Sequence, residues 1–289
     1  MDFLQPTTWA EALAMKGAHP DAMPIAGGTD VMVEINFDRH RPPAFIDLTR
    51  ITELSEWGQE GGWLRIGAGV TYTRLIAELG DRLPGLAMAS RTVGSPQIRN
   101  RGTVGGNLGS ASPAGDAHPP LLASGAIVEL ASVAGTRRLP AHEFFVGPKR
   151  SAMRKDELIA AFLVEPVKGP QQFSKVGTRN AMVIAVCSFA LAIDSERRRI
   201  GTGIGSAAPT PVRAIEAELF LAGVLDEKGL WEKPAKVDES ALVRFGQLVA
   251  AAAKPIDDVR GTAAYRRHAL AVMAHRSFVW AWNEYRGAA

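Results

Sequence analysis

Of the 289 residues only one is a cysteine, Cys187. That excludes an internal disulfide, and also an iron–sulfur cluster built by this chain alone, since such clusters usually take four thiolates. Cys187 lies in the apolar stretch VIAVCSFALAI, where a small buried core residue is expected rather than a nucleophile. Long hydrophobic runs are also lacking. No window approaches the roughly 18 apolar residues of a membrane span, and the N-terminus, MDFLQPTTWAEAL, has no basic segment leading into an apolar one. No membrane span is expected, and the protein is expected to stay in the cytoplasm. The six histidines, His19, His40, His118, His142, His268 and His275, show no HxH or HxxxH spacing, so no metal site is expected. Excess charge is scarce: the formal net charge is +3, and the run Arg197-Arg198-Arg199 reads as a solvated turn rather than a nucleic-acid contact. Neither GxGxxG between strand and helix nor GxxxxGK[ST] occurs, so the Rossmann and P-loop readings fail.

With 46% hydrophobic and 22% charged residues, the chain can bury the cores of two globular domains. Two glycine runs stand out: Pro24-Ile25-Ala26-Gly27-Gly28-Thr29-Asp30, and later Gly102-Thr103-Val104-Gly105-Gly106-Asn107. Each joins a glycine pair, which permits positive φ and close backbone approach, to a small polar side chain. Successive amides in such turns form a concave anion nest, and two nests suit a diphosphate, hence a dinucleotide cofactor held across two loops. Glycine pairs also make ordinary turns. The second run is the more specific, because it continues through Ser110 and Ser112 into Pro113-Ala114-Gly115-Asp116.

Thr8 with Glu11 predicts a capping box opening a helix to about Met15, followed by a strand over 23–26, a helix over 30–37 and a strand over 44–48. This is a small α/β unit. Next come a strand over 63–68, helices over 71–79 and 83–93, and a loop from Gly94 to Pro113. A helix over 116–124 and strands over 126–132, 136–139, 158–165 and 171–176 complete an α+β unit with a mostly antiparallel sheet. Strands over 183–193 and 200–206 precede helices from Pro211 to Ala222, over 240–252 and over 262–284. The domain boundary is placed near Phe173. Asp116 suits either a helix cap or a cofactor hydroxyl. Lys175, on a strand, suits either solvent or the N1/C2 edge of a flavin, where negative charge develops on reduction. Arg179 is either an ion-pair partner or a cofactor neighbour.

In order and spacing, PIAGGTDVMVEIN, IDLTRITEL, LRIGAGVTYTRL, RTVGSPQIRNRGTVGGNLGSASPAGDAHPPLLASGAIVEL, FSKVGTRNAMVIAV and GIGSAAPTPVRAIEAEL resemble the FAD-binding medium subunit of molybdenum hydroxylases. That family includes xanthine dehydrogenase, aldehyde oxidase and carbon monoxide dehydrogenase. The resemblance implies an α+β chain: a two-subdomain FAD-binding fold of the vanillyl-alcohol oxidase (PCMH) type over 1–172, divided near residue 55, then a small C-terminal domain over 173–289 with a three-stranded antiparallel sheet and helices. It implies FAD pyrophosphate on Ala26, Gly27, Gly28, Thr29 and Asp30, and on Thr103, Val104, Gly105, Gly106 and Asn107, with Ile25 and Ser112 also among the cofactor-binding residues. It further implies Asp116 near ribose and phosphate, the backbone around Ile159 near adenine, and Lys175 beside the isoalloxazine. Val93 stands where some relatives carry an aromatic residue, and Met182 and Val183 where many carry an acidic one.

The division of labour implied is a molybdopterin cofactor in a large subunit, two [2Fe-2S] clusters in a small iron–sulfur subunit, and FAD in this chain, assembled as a dimer of heterotrimers. The lone cysteine agrees, since clusters must lie elsewhere. Two other readings stay open: a self-sufficient flavin oxidase or reductase of the same fold, and a scaffold subunit with a decayed flavin site. No cluster of His, Tyr or carboxylates after Ile193 suggests the substrate pocket that the first would need.

Overall fold

The computed structural model describes residues 2–287. In chain order the elements are β1 (Asp2–Leu4), α1 (Trp9–Ala18), β2 (Met23–Ile25), α2 (Val31–Asn36), β3 (Ala44–Asp47), β4 (Trp57–Glu60), β5 (Trp63–Gly67), α3 (Tyr72–Leu79) and α4 (Pro84–Arg91). Next come α5 (Pro96–Arg101), α6 (Val104–Ser110), α7 (His118–Ala123), β6 (Ile127–Ser132), β7 (Gly135–Pro140), α8 (Ala141–Phe144), β8 (Phe145–Gly147), β9 (Arg150–Ser151) and β10 (Leu158–Val164). The chain closes with β11 (Gln171–Val176), β12 (Cys187–Asp194), β13 (Arg199–Gly205), α9 (Ile215–Glu227), α10 (Glu239–Ala252) and α11 (Ala263–Tyr285). Among the described residues no helix is long and apolar enough to cross a membrane.

The chain packs as two compact units, each assembled from separate stretches of sequence. Among the described residues, one holds 2–78, 94–112 and 126–165; the other holds 79–93, 113–125 and 166–287.

In the first unit, β1, β3 and β2 form a parallel sheet with β3 central. The capping box before α1 forms as expected: the Thr8 hydroxyl accepts from the Glu11 amide at 3.2 Å and the Glu11 carboxylate accepts from the Thr8 amide at 3.4 Å. A second, antiparallel sheet runs β4-β5-β10-β6-β7. Every residue of the central strand, LIAAFLV, is buried, because both its faces are covered. The outer strand β7 carries Arg137 and Arg138, whose guanidinium groups reach the buried carboxylates of Glu157 and Glu129. Strands β1 and β4 and the hairpin β8–β9 have no counterpart in the sequence reading. The stretch 94–113, expected as a loop, contains two short helices, α5 and α6. Ser95 and Thr103 cap them through hydrogen bonds to the amides of Ile98 and Gly106, and Pro96 occupies a first-turn position where its missing N–H costs nothing.

In the second unit, β11-β12-β13 is a three-stranded antiparallel sheet. Alternation along β12 sends Cys187, Phe189, Leu191 and Ile193 into a core with Leu221, Phe245, Phe278 and Trp282 from α9, α10 and α11. Ala190 and Ala192 meet Ala123 of α7 on the opposite face. That approach is close: a Cβ on Gly201 or Gly203 would overlap the carbonyl of Ala123 or Pro119. The helix expected to start at Pro211 starts at Ile215, because Val212 pairs with Ile204 in both directions, at 2.8 and 3.1 Å, and prolongs the sheet.

Candidate cofactor site

The first glycine turn leaves β2 and ends where α2 begins. Gly28 has φ of +74°, which side-chain-bearing residues rarely adopt, and its carbonyl accepts from the Met32 amide at 3.0 Å. Gly27 is required for a different reason. A Cβ there would overlap the Arg101 carbonyl and lie 2.9 Å from the Gly102 nitrogen, so the main chain entering the second run crosses directly against it. The Thr29 hydroxyl lies 3.3 Å from where a Gly102 Cβ would stand. The two runs are therefore in main-chain contact. Among the described residues, the amides of Gly27, Gly28, Thr29 and Asp30 have no protein acceptor, leaving consecutive N–H groups of the kind that receive an anion. Ile25 and Ala26 are half-buried at the start of this turn. Asp30 is exposed at the head of α2 and makes no capping bond to it.

The second run is not a matching nest. The Thr103 hydroxyl accepts from Gly106 N at 2.8 Å and the Thr103 carbonyl from Asn107 N at 3.0 Å, so these donors are taken up in starting α6. Val104 is fully buried, and a Cβ on Gly105 would overlap Ala68. What the run offers outward is bare main chain. Gly106 and Gly109, one turn apart, are exposed; a Cβ would meet only Thr103 Oγ1 at 3.1 Å in the first case and Ile159 Cδ1 at 3.7 Å in the second. Ile159 lies on β10 where pairing to β6 is irregular between Ile159 and Ala161. Ser112 follows Ala111, whose φ of 44° ends α6.

In the second unit, Lys175 on β11 and Asp116 just before α7 form an ion pair, Nζ to Oδ2, at 2.6 Å, with both side chains 9% exposed. The Thr92 hydroxyl lies 3.2 Å from the same oxygen. Burial pushes the Asp116 carboxyl above the usual range, against the opposing influence of the Lys175 charge and of hydrogen bonds from Lys175 and Thr92. Its other oxygen, Oδ1, is buried and has no hydrogen-bond partner among the described residues, an arrangement that costs free energy unless a donor reaches it. A hydroxyl of a bound cofactor is such a donor. Asp116 does not cap α7, whose N-cap is Ala117 without a side-chain bond, and Lys175 is not a solvated strand lysine. Thr92, in a stretch read only as the end of a helix, went unnoticed; nothing in its local sequence marks it. Arg179 is engaged locally, its guanidinium donating to the carbonyl of Met182, a residue with φ of 48° and an exposed side chain.

Unspent consecutive amides beside bare glycine backbone are the kind of donors that a phosphate-bearing cofactor calls for. Residues 1–165 match the family described as the FAD binding domain in molybdopterin dehydrogenase, and residues 172–281 match the CO dehydrogenase flavoprotein C-terminal domain. The chain is 33% identical over 221 residues to a putative xanthine dehydrogenase FAD-binding subunit of Escherichia coli, covering 73% of this chain and 75% of that one. It is 29% identical to the glyceraldehyde dehydrogenase medium chain of Sulfolobus acidocaldarius, covering 93% of each. A chain of the reconstituted CO dehydrogenase from Oligotropha carboxidovorans superposes with a TM-score of 0.88 at 28% identity, over 98% of this chain and 97% of that one. The chain belongs to the family of FAD-binding subunits of molybdenum hydroxylases. It is the flavoprotein subunit of an oxidoreductase complex: its cofactor is FAD, through which electrons from the [2Fe-2S] clusters of a partner subunit pass to a terminal acceptor, and the molybdenum cofactor also resides on a partner.

Proposed function

We propose that FAD is held through its pyrophosphate by the amides of Ala26, Gly27, Gly28, Thr29 and Asp30, with Ile25 shaping the entry and the glycine face of Thr103, Val104, Gly105, Gly106 and Asn107 lying alongside. Ser112 and the main chain around Ile159 border the adenosine half. Asp116 accepts from a cofactor hydroxyl through Oδ1, and Lys175 supplies positive charge to the N1/C2 edge of the isoalloxazine. The observation that carries this reading is the crossing of Gly27 by Arg101 and Gly102, which lets two distant glycine runs serve one ligand. When bound, the cofactor supplies exchange between paired and single electrons; the protein residues bind it, exclude water from the Lys175–Asp116 pair and fix charge near it.

The test is FAD content. Gly106→Val, which fills the bare face while leaving the crossing untouched, is expected to abolish flavin retention with little change in melting temperature. Full retention of FAD by that variant would overturn the assignment.

In the cell the chain acts in the cytoplasm within a dimer of heterotrimers, joined by a small iron–sulfur subunit and a large molybdopterin subunit. Support comes from the medium-chain name of the Sulfolobus relative and from the single cysteine, which leaves the clusters to another chain. Native mass spectrometry of the purified complex is expected to give two copies of each subunit.

A further inference from the structure

We infer, resting on the assignment of Lys175 to the isoalloxazine edge, that Thr92 is a positioning residue for that lysine. Its hydroxyl turns onto Asp116 when the ammonium is drawn toward negative charge on the flavin, and so favours the reduced cofactor. All three residues belong to one compact unit: Thr92 is the C-cap of α4, Asp116 lies just before α7 and Lys175 is on β11. The Thr92 hydroxyl has one proton and two acceptors within reach, the Ala89 carbonyl at 2.8 Å and Asp116 Oδ2 at 3.2 Å. The first contact is the ordinary back-bond of a threonine at a helix end. The Ala89 carbonyl can do without it, because it also accepts from the Thr92 amide at 3.0 Å.

Asp116 is less well supplied. Its Oδ1 has no partner among the described residues, so the charge is met at Oδ2, by Lys175 at 2.6 Å and by Thr92. With its side chain 9% exposed, it has little water to turn to. Turning the hydroxyl therefore costs the helix little and gives a buried carboxylate a donor. Lys175 Nζ carries three N–H groups. One is spent on Asp116 Oδ2, and the Thr92 carbonyl, 3.4 Å away, stands in the direction of a second. The third is left for the cofactor edge. Negative charge developing at N1/C2 pulls the ammonium off Asp116, and the desolvated carboxylate left behind opposes that movement. The Thr92 hydroxyl offsets the opposition by taking up part of the bond that Lys175 gives away. A hydrogen bond that strengthens only when the flavin is reduced stabilises that state alone, and so shifts the redox equilibrium toward it.

The test uses the full-length chain loaded with FAD and equilibrated anaerobically with a redox dye of known potential. Thr92→Val, which keeps the side-chain shape and removes the hydroxyl, is expected to lower the ratio of reduced to oxidised flavin at a fixed dye ratio by about three- to tenfold, the net worth of one hydrogen bond. Linkage requires the affinity for reduced FAD to fall by the same factor, while oxidised FAD is retained as in wild type. Thr92→Ser should restore both readouts. If Thr92→Val does not fold, Thr92→Ala carries the same expectation. An unchanged dye equilibrium in the variant without the hydroxyl overturns the inference. So does an equal shift in Thr92→Ser, which would trace the effect to packing rather than to the hydroxyl. Lys175→Met tests the underlying assignment separately. If it leaves the dye equilibrium as in wild type, or if the wild-type chain holds no FAD, the placement of Lys175 beside the flavin fails; a shift in Lys175→Met with none in Thr92→Val removes the role of Thr92 alone.

Discussion

Gly27 and Gly28 stand side by side for unlike reasons, and the difference can be measured. At Gly28 the constraint is its own φ of +74°, so Gly28→Ala is expected to cost about 1–2 kcal/mol through backbone strain. At Gly27 the constraint is the neighbouring Arg101 main chain, and Gly27→Ala must push two turns apart, costing about 1–3 kcal/mol as overpacking and lowering FAD retention more than Gly28→Ala does. Urea denaturation and flavin content of the two variants check this ordering. Cys187 gives a second prediction. Burial pushes its thiol up to about 11, with Arg266 opposing, so the thiol should resist aromatic disulfide reagents in the native protein and react only in step with unfolding. At this scale the sequence revealed residue type but not environment. That Lys175 and Asp116 are candidate cofactor residues is read from the family motifs; that they pair with each other, and that Thr92 joins them, depends on chain segments far apart in sequence.

Among the elements, the pairing of β6, β7 and β10 concentrates charge where a sheet is otherwise apolar. Burial pushes Glu129 and Glu157 upward, but hydrogen bonds from Arg65 and Arg138 to the first, and from Arg137 and the Arg154 amide to the second, outweigh it and hold both carboxyls below their usual range. Depressed folded-state values mean stabilisation present above the unfolded value of about 4.3 and lost as pH falls through the folded values. Melting temperature should therefore drop as the medium is acidified below about pH 4, and Glu157→Gln should show a shallower drop from a lower starting point. Long, strongly patterned elements were legible: α10 and α11 begin and end within a residue of expectation. The helices α5 and α6 were not, because glycine and serine have poor helix propensity and the second helix is held by the contact of Gly105 with Ala68 rather than by its own composition. Their caps, Ser95 and Thr103, were visible signals outweighed by the glycines around them. The late start of α9 has a similar cause, since Val212 is claimed by the sheet before Pro211 can open a helix.

On the scale of the molecule, the order of packing departs from the order of sequence. Residues 79–93 and 113–125 belong with the C-terminal unit, and the Lys175–Asp116 pair fastens the second of these segments to β11. Asp116→Asn would leave the lysine ammonium desolvated without its counter-charge, and a loss of about 3–5 kcal/mol is expected, read from chemical denaturation; replacing both residues with apolar ones should cost less than the single change. The sequence could not disclose this interleaving, because composition and periodicity carry no record of which distant segment covers a given sheet face.

The interleaving also decides how the polypeptide can be dissected. A cut between residues 165 and 172, where the two matched family regions meet, would strip β13 of the helix that lies on Gly201 and Gly203. The severed C-terminal piece would leave the sheet face of Gly201 and Gly203, with Ala190 and Ala192 on it, open to any passing chain, so it should aggregate on expression, whereas supplying residues 79–125 in trans should restore a soluble product.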